Sequence, residues 1–409
     1  MPRVLTLGRG GGRLFAARLI GLAVATVSSL LLARILGPDD YGVYATAVAV
    51  GNLAVIFGPM GIDQLQLLHD LPESRAYRWT LLVAAASTAA GLVLALAWPN
   101  IEPMTRSCAF LMAAAGACRV ALAPWLTTPQ KQLRFDIRAR RDLILGIFPS
   151  VGSVIAAVLA TTVVAVVGVY LAILLVLAAS AHWTMRQRAR VRSVASRVRF
   201  RAGWPYAASA ATYTLYFTAD AAIIAATRTS QEVGQYKAAY MFITAATVLP
   251  IVLNNDMLRA RLADLRDLPA ESWHVVRRMA AANLGLGLAM TGGVCLLGPP
   301  AARLVYGAGF EQASELLTIL GLALLPFAMN TFSGNALIAF GSVRLVLIVQ
   351  VISCVANITA NLVFVPAYGL DAAAYATVGT ELLGATTLGA ILVRRGFRSS
   401  ARQHVSGVS

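Results

Sequence analysis

Three side chains carry a formal charge deep inside long apolar runs: Arg119, Asp220 and Glu381. An ionisable group held in hydrocarbon is costly, and its presence there suggests a task. The Arg119 guanidinium is permanently charged, and its planar fork fits phosphate oxygens two at a time. It can therefore receive a pyrophosphate. It can equally be neutralised by a carboxylate from another helix, or reach back to the interface. No acid lies within one helical turn of it in sequence. Asp220 and Glu381 are carboxylates of the kind that take up and release protons when held away from water. Each can alternatively serve to neutralise Arg119 or to satisfy neighbouring hydroxyls. Asp63 and Asp256 fall nearer the ends of their runs, where a solvated role is expected.

Asn52, Asn330, Asn335, Asn357 and Asn361 also lie within apolar runs. Their amides can bind sugar hydroxyls or hold helices to one another, the usual role of such groups in membrane bundles. We take Asn52, Asn330 and Asn357 as candidate binding residues, beside Arg119. Asn357-Ile-Thr359 matches a glycosylation sequon but lies in a span, which removes it as an acceptor. No histidine falls in the deep part of a run, so a histidine proton relay is not expected.

Other chemistry is thinly represented. The four cysteines, Cys108, Cys118, Cys295 and Cys354, sit in apolar stretches without metal-ligand spacing and read as packing residues. The glycine-rich stretch Gly8–Arg13 is not a phosphate-binding loop, since no strand precedes it and no Lys-Ser/Thr closes it. No cofactor and no metal are expected, and the sequence reads as a non-enzyme.

These residues must be positioned by helices, and composition says of which kind. Of 409 residues 58% are hydrophobic and 13% charged, against about 25% charged in ordinary soluble domains. The mean hydropathy is +0.71. Charges are confined to short stretches between apolar runs of roughly 18 to 27 residues, each able to cross a core of about 30 Å. The net charge of +16 does not imply nucleic acid, because the arginines alternate with the spans instead of tracking one face.

Twelve spans are expected, at about 14–36, 41–67, 79–98, 107–126, 143–161, 166–184, 204–227, 237–258, 279–299, 315–340, 345–366 and 370–393. The first is read as retained and not as a signal segment. Residues 143–185 carry no formal charge and are too long for one crossing, so the chain is expected to turn back near 161–168. With both termini cytoplasmic, about 28 Lys and Arg fall on the inner side and about 5 on the outer, as the positive-inside rule requires. All six tryptophans lie at or near span ends, where an amphipathic ring prefers the headgroup layer. The expected organisation is a six-helix bundle over 1–184, a basic cytoplasmic linker over 185–203, a second six-helix bundle over 204–393, and a cytoplasmic tail over 394–409. The linker carries seven arginines and no acid, a composition suited to anionic headgroups. Prolines at 250, 326 and 366 lie in or at the ends of spans, where they permit bending.

A faint repeat links the two halves: Gly42-Val-Tyr44 after the first span and Gly234-Gln-Tyr236 after the seventh. The loop Ala33–Ala45 (ARILGPDDYGVYA), Asp220 with Val233–Tyr240 (VGQYKAAY), Val305–Leu320 (VYGAGFEQASELLTIL) and Asn357–Thr377 (NITANLVFVPAYGLDAAAYAT) occur in that order. Together they resemble polysaccharide flippases of the multidrug/oligosaccharidyl-lipid/polysaccharide (MOP) exporter superfamily. The resemblance implies an all-α membrane protein with two six-helix bundles in a V, working by alternating access in a bacterial inner membrane. It implies undecaprenyl-pyrophosphate-linked glycan as cargo, with membrane lipids, a polysaccharide polymerase and glycosyltransferases as partners. Where relatives carry a second glycine in the last corner, this chain has Ala372. Lipid II flippases of the superfamily resemble it but usually carry two further helices, which counts against lipid II. A multidrug exporter of the superfamily is the alternative. A membrane glycosyltransferase or ligase is disfavoured by short outer loops with few acids.

Overall fold

A computed structural model describes residues 2–68, 71–98, 102–191, 199–258, 262 and 269–406. Arg192, Arg197, Arg259, Arg261 and Arg266, counted above for topology, lie outside them, as does the side chain of Asp256. Among the described residues the chain is helical without a strand. Contacts divide it into two units, Met1–Gly234 and Gln235–Ser409.

The first unit contains α1 (Pro2–Ala54), α2 (Ile62–Leu68), α3 (Glu73–Ala97), α4 (Pro103–Ala121), α5 (Ala123–Lys131), α6 (Phe135–Ala160), α7 (Val163–Val191) and α8 (Trp204–Thr227). A 3₁₀ turn, Phe200–Gly203, leads into α8. Helix α9 (Ser230–Val252) begins at the end of this unit and continues into the second as a π-helical turn, Leu253–Leu258. The rest of the second unit is α10 (Pro269–Tyr306), α11 (Glu311–Gly321), α12 (Leu324–Ala339), α13 (Val343–Tyr368) and α14 (Leu370–Ser406).

Eight of the described helices are long and apolar enough to cross a membrane, or nine when the pair α11–α12, bent by 46°, counts as one span. Helix α1 is one of the eight yet holds two spans, because Gly37 breaks it with φ 77° and ψ 172°. A residue before proline is driven from helical angles, and glycine alone takes this one without strain. Helices α8 and α9, of 24 and 23 residues, are long enough to cross but fall short in apolarity. These add three to the nine and complete twelve. The all-α membrane architecture expected from the sequence is the one observed.

The expected turn after span five lies at Thr161–Thr162, with Thr161 in the left-handed region at φ 49°. The second span departs from expectation. Its helix stops at Ala54, not near 67, and the chain unwinds through Gly58 (φ 50°), Met60 (φ 52°) and Gly61 (φ 69°) before α2. The Gly58-Pro59 pair supplies the breaker; its apolar neighbours masked it in the sequence. The basic linker at 185–203 was the expected divide, whereas by its contacts α8 counts with the first unit, through α1.

Lipid offers helices no hydrophobic drive to associate, so small residues that permit close contact must hold them. In the first unit a Cβ added at Gly91 of α3 would lie 2.2 Å from the Ala113 Cβ of α4. One at Gly51 would meet Met112 at 2.9 Å, and one at Gly146 of α6 would meet Gly21 of α1 at 2.8 Å. The two repeat glycines meet each other's surroundings: a Cβ at Gly42 would lie 1.7 Å from the Ser230 carbonyl oxygen, and one at Gly234 would lie 2.0 Å from that of Pro38. The apolar layer beneath is Val43, Ala47, Val50, Ala109, Met112, Val163 and Val167. At one end of the unit Asp142 receives Arg138 Nε at 3.0 Å and Arg18 Nε at 3.5 Å.

Gly91→Val is expected to destabilise the first unit by about 1–3 kcal/mol, the usual cost of overpacking. Gly168→Ala, where nothing lies within 4 Å, should leave melting unchanged or slightly raised. Thermal melting of the two purified variants in detergent checks both; equal melting would remove the close-packing account.

Candidate functional site

In the first unit the charged residue of the site is set by how α4 is held. Helix α4 is rich in Ala and Gly over Ala113–Ala117, which seats it against α1 and α3 and leaves its last turn carrying Arg119. Helices α4 and α5 form one span, Pro103–Lys131, and Arg119 sits about 3 Å from its middle by rise per residue. The side chain is exposed. Its guanidinium carbon lies 5.8 Å from the centre of the Tyr170 ring of α7. Tyr44 of α1 is a second electrostatic neighbour and stacks on Tyr41 with centroids 6.0 Å apart. Among the described residues no carboxylate pairs with Arg119 within 4 Å and no acceptor bonds to it. The carboxylate neutralisation left open by the sequence is not found there.

Asn52 is exposed on α1, two turns beyond Tyr44. Asp220 is buried at 3% exposure in α8, where its Oδ1 accepts the Ala221 amide at 2.7 Å. Sequence reasoning grouped these with Arg119 only by type. Arg119 and Asn52 are both exposed, whereas Asp220 is buried.

The second unit brings three of the expected residues together. Glu381 of α14 is buried at 3% exposure, and its Oε2 accepts Asn330 Nδ2 of α12 at 2.9 Å. Gly384, one turn on, leaves the space that the Asn330 amide fills: a Cβ there would lie 2.8 Å from Nδ2. The residue before Glu381, Thr380, accepts Asn357 Nδ2 of α13 at 3.3 Å and donates to the Ala376 carbonyl at 2.8 Å. Asn361 Nδ2 donates to the Asn357 carbonyl at 2.9 Å and to its Oδ1 at 3.2 Å. A polar seam thus ties α12, α13 and α14 around one buried carboxylate. Two atoms along it, Ser353 Oγ and Asn361 Oδ1, are buried without a partner. The corner at Ala372 packs through Ala373 and Ala374, both at 0% exposure, and the turn itself is made by Gly369.

Two arrangements escaped the sequence. Asn254 and Asn283, both fully buried, exchange amide hydrogen bonds of 2.7 and 3.1 Å between the π-helical turn and α10. Asn254 Nδ2 also reaches the Pro250 carbonyl at 2.8 Å, and the turn begins three residues after this proline, which has no amide to give to the helical ladder. Pro250 was the signal; the partner 29 residues away was not deducible. Gln235 is the second case. Its Nε2 donates to the Gly309 carbonyl at 2.5 Å and its Oε1 accepts the Ala313 amide at 2.9 Å, fixing the loop before α11. Among the described residues no three His, Cys, Asp or Glu side chains gather as a metal site.

The fold matches solved transporters over nearly its whole length. A lipid II flippase, MurJ, in an inward closed conformation superposes with TM-score 0.75 at 13% identity, covering 96% of this chain and 90% of that one. An inward-facing multidrug resistance MATE transporter of the MOP superfamily gives 0.60 at 14%, covering 95% of each. A MOP superfamily transporter from Pyrococcus furiosus, described as having a binding pocket of reverse polarity, gives 0.60 at 14%, covering 96% and 97%. At such identities the likeness establishes the fold alone, one shared with these transporters. Among curated proteins none matches the sequence. Matched over residues 31–315, more than two thirds of its length, the chain belongs to the family of polysaccharide biosynthesis proteins.

Proposed function

We propose that the chain flips a polyprenyl-pyrophosphate-linked oligosaccharide repeat unit from the cytoplasmic to the outer leaflet of a bacterial inner membrane, for surface polysaccharide assembly. The observation that carries this reading is the exposed Arg119 guanidinium at mid-span, without a carboxylate partner among the described residues. A pyrophosphate is the anion whose geometry suits it. Asn52, exposed on α1, is proposed to meet the sugar hydroxyls. Membership of the polysaccharide biosynthesis family supports a glycan as cargo.

Asn330 and Asn357 take a different part from the cargo contact first expected of them. Their amides are engaged by Glu381 and Thr380, which suits residues that frame a coupling carboxylate. Glu381, and Asp220 in α8, are proposed to couple flipping to an ion. Both termini are placed in the cytoplasm, the six-and-six division of spans is retained, and no catalytic step is assigned. A polymerase and glycosyltransferases are the proposed functional partners.

The alternative is export of drugs, as the MATE name of one structural relative states for that protein. Cationic drugs require carboxylates, and an exposed deep cation in the first unit disfavours them.

Arg119→Ala is expected to lower surface polymer at least about tenfold, since a charge-assisted hydrogen bond contributes roughly 1.5–3 kcal/mol. Lipid-linked repeat units should accumulate, as quantified by mass spectrometry, with the protein still in the membrane. Arg119→Lys should retain part of the output. Normal polymer in Arg119→Ala, or a phenotype confined to susceptibility to cationic drugs, would overturn the reading.

Glu381→Gln keeps the Asn330 contact sterically but cannot ionise. In proteoliposomes it should retain cargo binding while losing the response of flipping to an imposed ion gradient. An unchanged response would remove Glu381 from coupling.

A further inference from the structure

An apolar groove of about 530 Å³ opens on the first unit, and Arg119 is not among its lining residues. One wall is a stripe of α3: Trp79, Leu82, Val83, Ala86, Ser87 and Ala90, at helical spacing. The opposite wall is the unwound stretch after α1, with Phe57, Gly58 and Met60. Phe200 closes one end and packs edge-on against Trp79, ring centroids 5.3 Å apart. The wall is held open by glycine contact, since a Cβ at Gly61 would lie 2.5 Å from the Gly203 carbonyl.

Length and charge select an occupant. From Trp79 to Ala90 the groove follows α3 for about 16 Å, close to half a hydrocarbon core of about 30 Å, the depth of one leaflet. The same helical stripe continues outward past Trp79 as Arg78 and Arg75. The Arg75 guanidinium lies 5.9 Å from the Trp79 ring centre, and Arg78 is exposed. Arg199 and Arg201, both exposed, flank Phe200 at that end. The groove therefore combines a leaflet-deep apolar trough with an aromatic end at Trp79 and Phe200, whose chain neighbours include Arg75, Arg78, Arg199 and Arg201. Aromatic rings and arginines are what the interface and an anionic headgroup each favour.

We propose that this groove holds an anionic phospholipid of the cytoplasmic leaflet as a bound structural lipid. One acyl chain lies along α3 and the phosphate is met by Arg75, Arg78, Arg199 and Arg201. The leaflet assignment rests on the proposed topology; the binding itself does not depend on the cargo. The bound lipid fills the space left where the second span unwinds, and it ties the basic linker to the bundle through Phe200.

Native mass spectrometry of the full chain in a neutral detergent tests this, with phosphatidylglycerol, phosphatidylcholine of the same chains and undecaprenyl pyrophosphate as probes. One phosphatidylglycerol should be retained in preference to phosphatidylcholine. The double variant Arg78→Ala/Arg201→Ala should lose that preference by about fivefold per arginine, the usual effect of one basic residue at a charged surface. Ala86→Trp, which fills the trough, should abolish retention. Ala90→Leu serves if that variant fails to fold, with melting and gel filtration as the fold control. Equal retention of the two phospholipids, or retention unaffected by filling the trough, would overturn the proposal. Displacement of phosphatidylglycerol by one equivalent of undecaprenyl pyrophosphate would also overturn it, assigning the groove to a polyprenyl tail.

Discussion

A chain in hydrocarbon must satisfy its polar groups from within, and this single constraint orders the structure. It forces the backbone into helices. It leaves helix association to close contact between small residues, as at Gly91 with Ala113 and at Gly146 with Gly21. It also explains how deep polar side chains are handled. Asn254 pairs with Asn283, Asn330 with Glu381, and Asn357 with Thr380. Each pair spans two helices and converts a cost into a fixed register.

Where the constraint is relaxed, the helices break. Gly37 divides α1, Gly58–Gly61 unwinds the second span, and α11 and α12 bend by 46°. A π turn follows Pro250, and Asn254 within it bonds the Pro250 carbonyl. Irregular backbone at membrane depth persists only where protein or water covers it.

Much of this was legible in the residues. A charge in an apolar run is visible without a structure, and so Arg119, Asp220 and Glu381 stood out. The span count was legible because burial in lipid demands length, and length is written in the sequence. What could not be read was partnership. Nothing in the sequence joins Asn254 to Asn283, or gives Glu381 to Asn330 and not to Arg119, because helix rotation decides both. The end of the second span was misread for another reason: Phe57, Met60, Ile62 and Leu65 keep the segment apolar through a stretch that Gly58-Pro59 has already unwound. The bend at Gly321–Ala323 hid likewise, since hydropathy does not register direction.

The treatment of Arg119 is the exception that the constraint itself interprets. A charge at the centre of a span costs about 2.5–3.5 kcal/mol on insertion scales. A ring near 6 Å at an exposed site returns only about 0.5–1 kcal/mol. The 5.8 Å contact with Tyr170 therefore leaves most of the cost unmet. Lipid cannot supply the balance; water or an anion can. An aromatic neighbour stabilises a cation without occupying its hydrogen-bond donors, so the guanidinium stays available as a carboxylate partner would not leave it. Glu381, by contrast, is enclosed at 3% exposure and already bonded. Of the three deep charges, Arg119 alone is thus exposed, while Asp220 and Glu381 are both buried at 3% exposure.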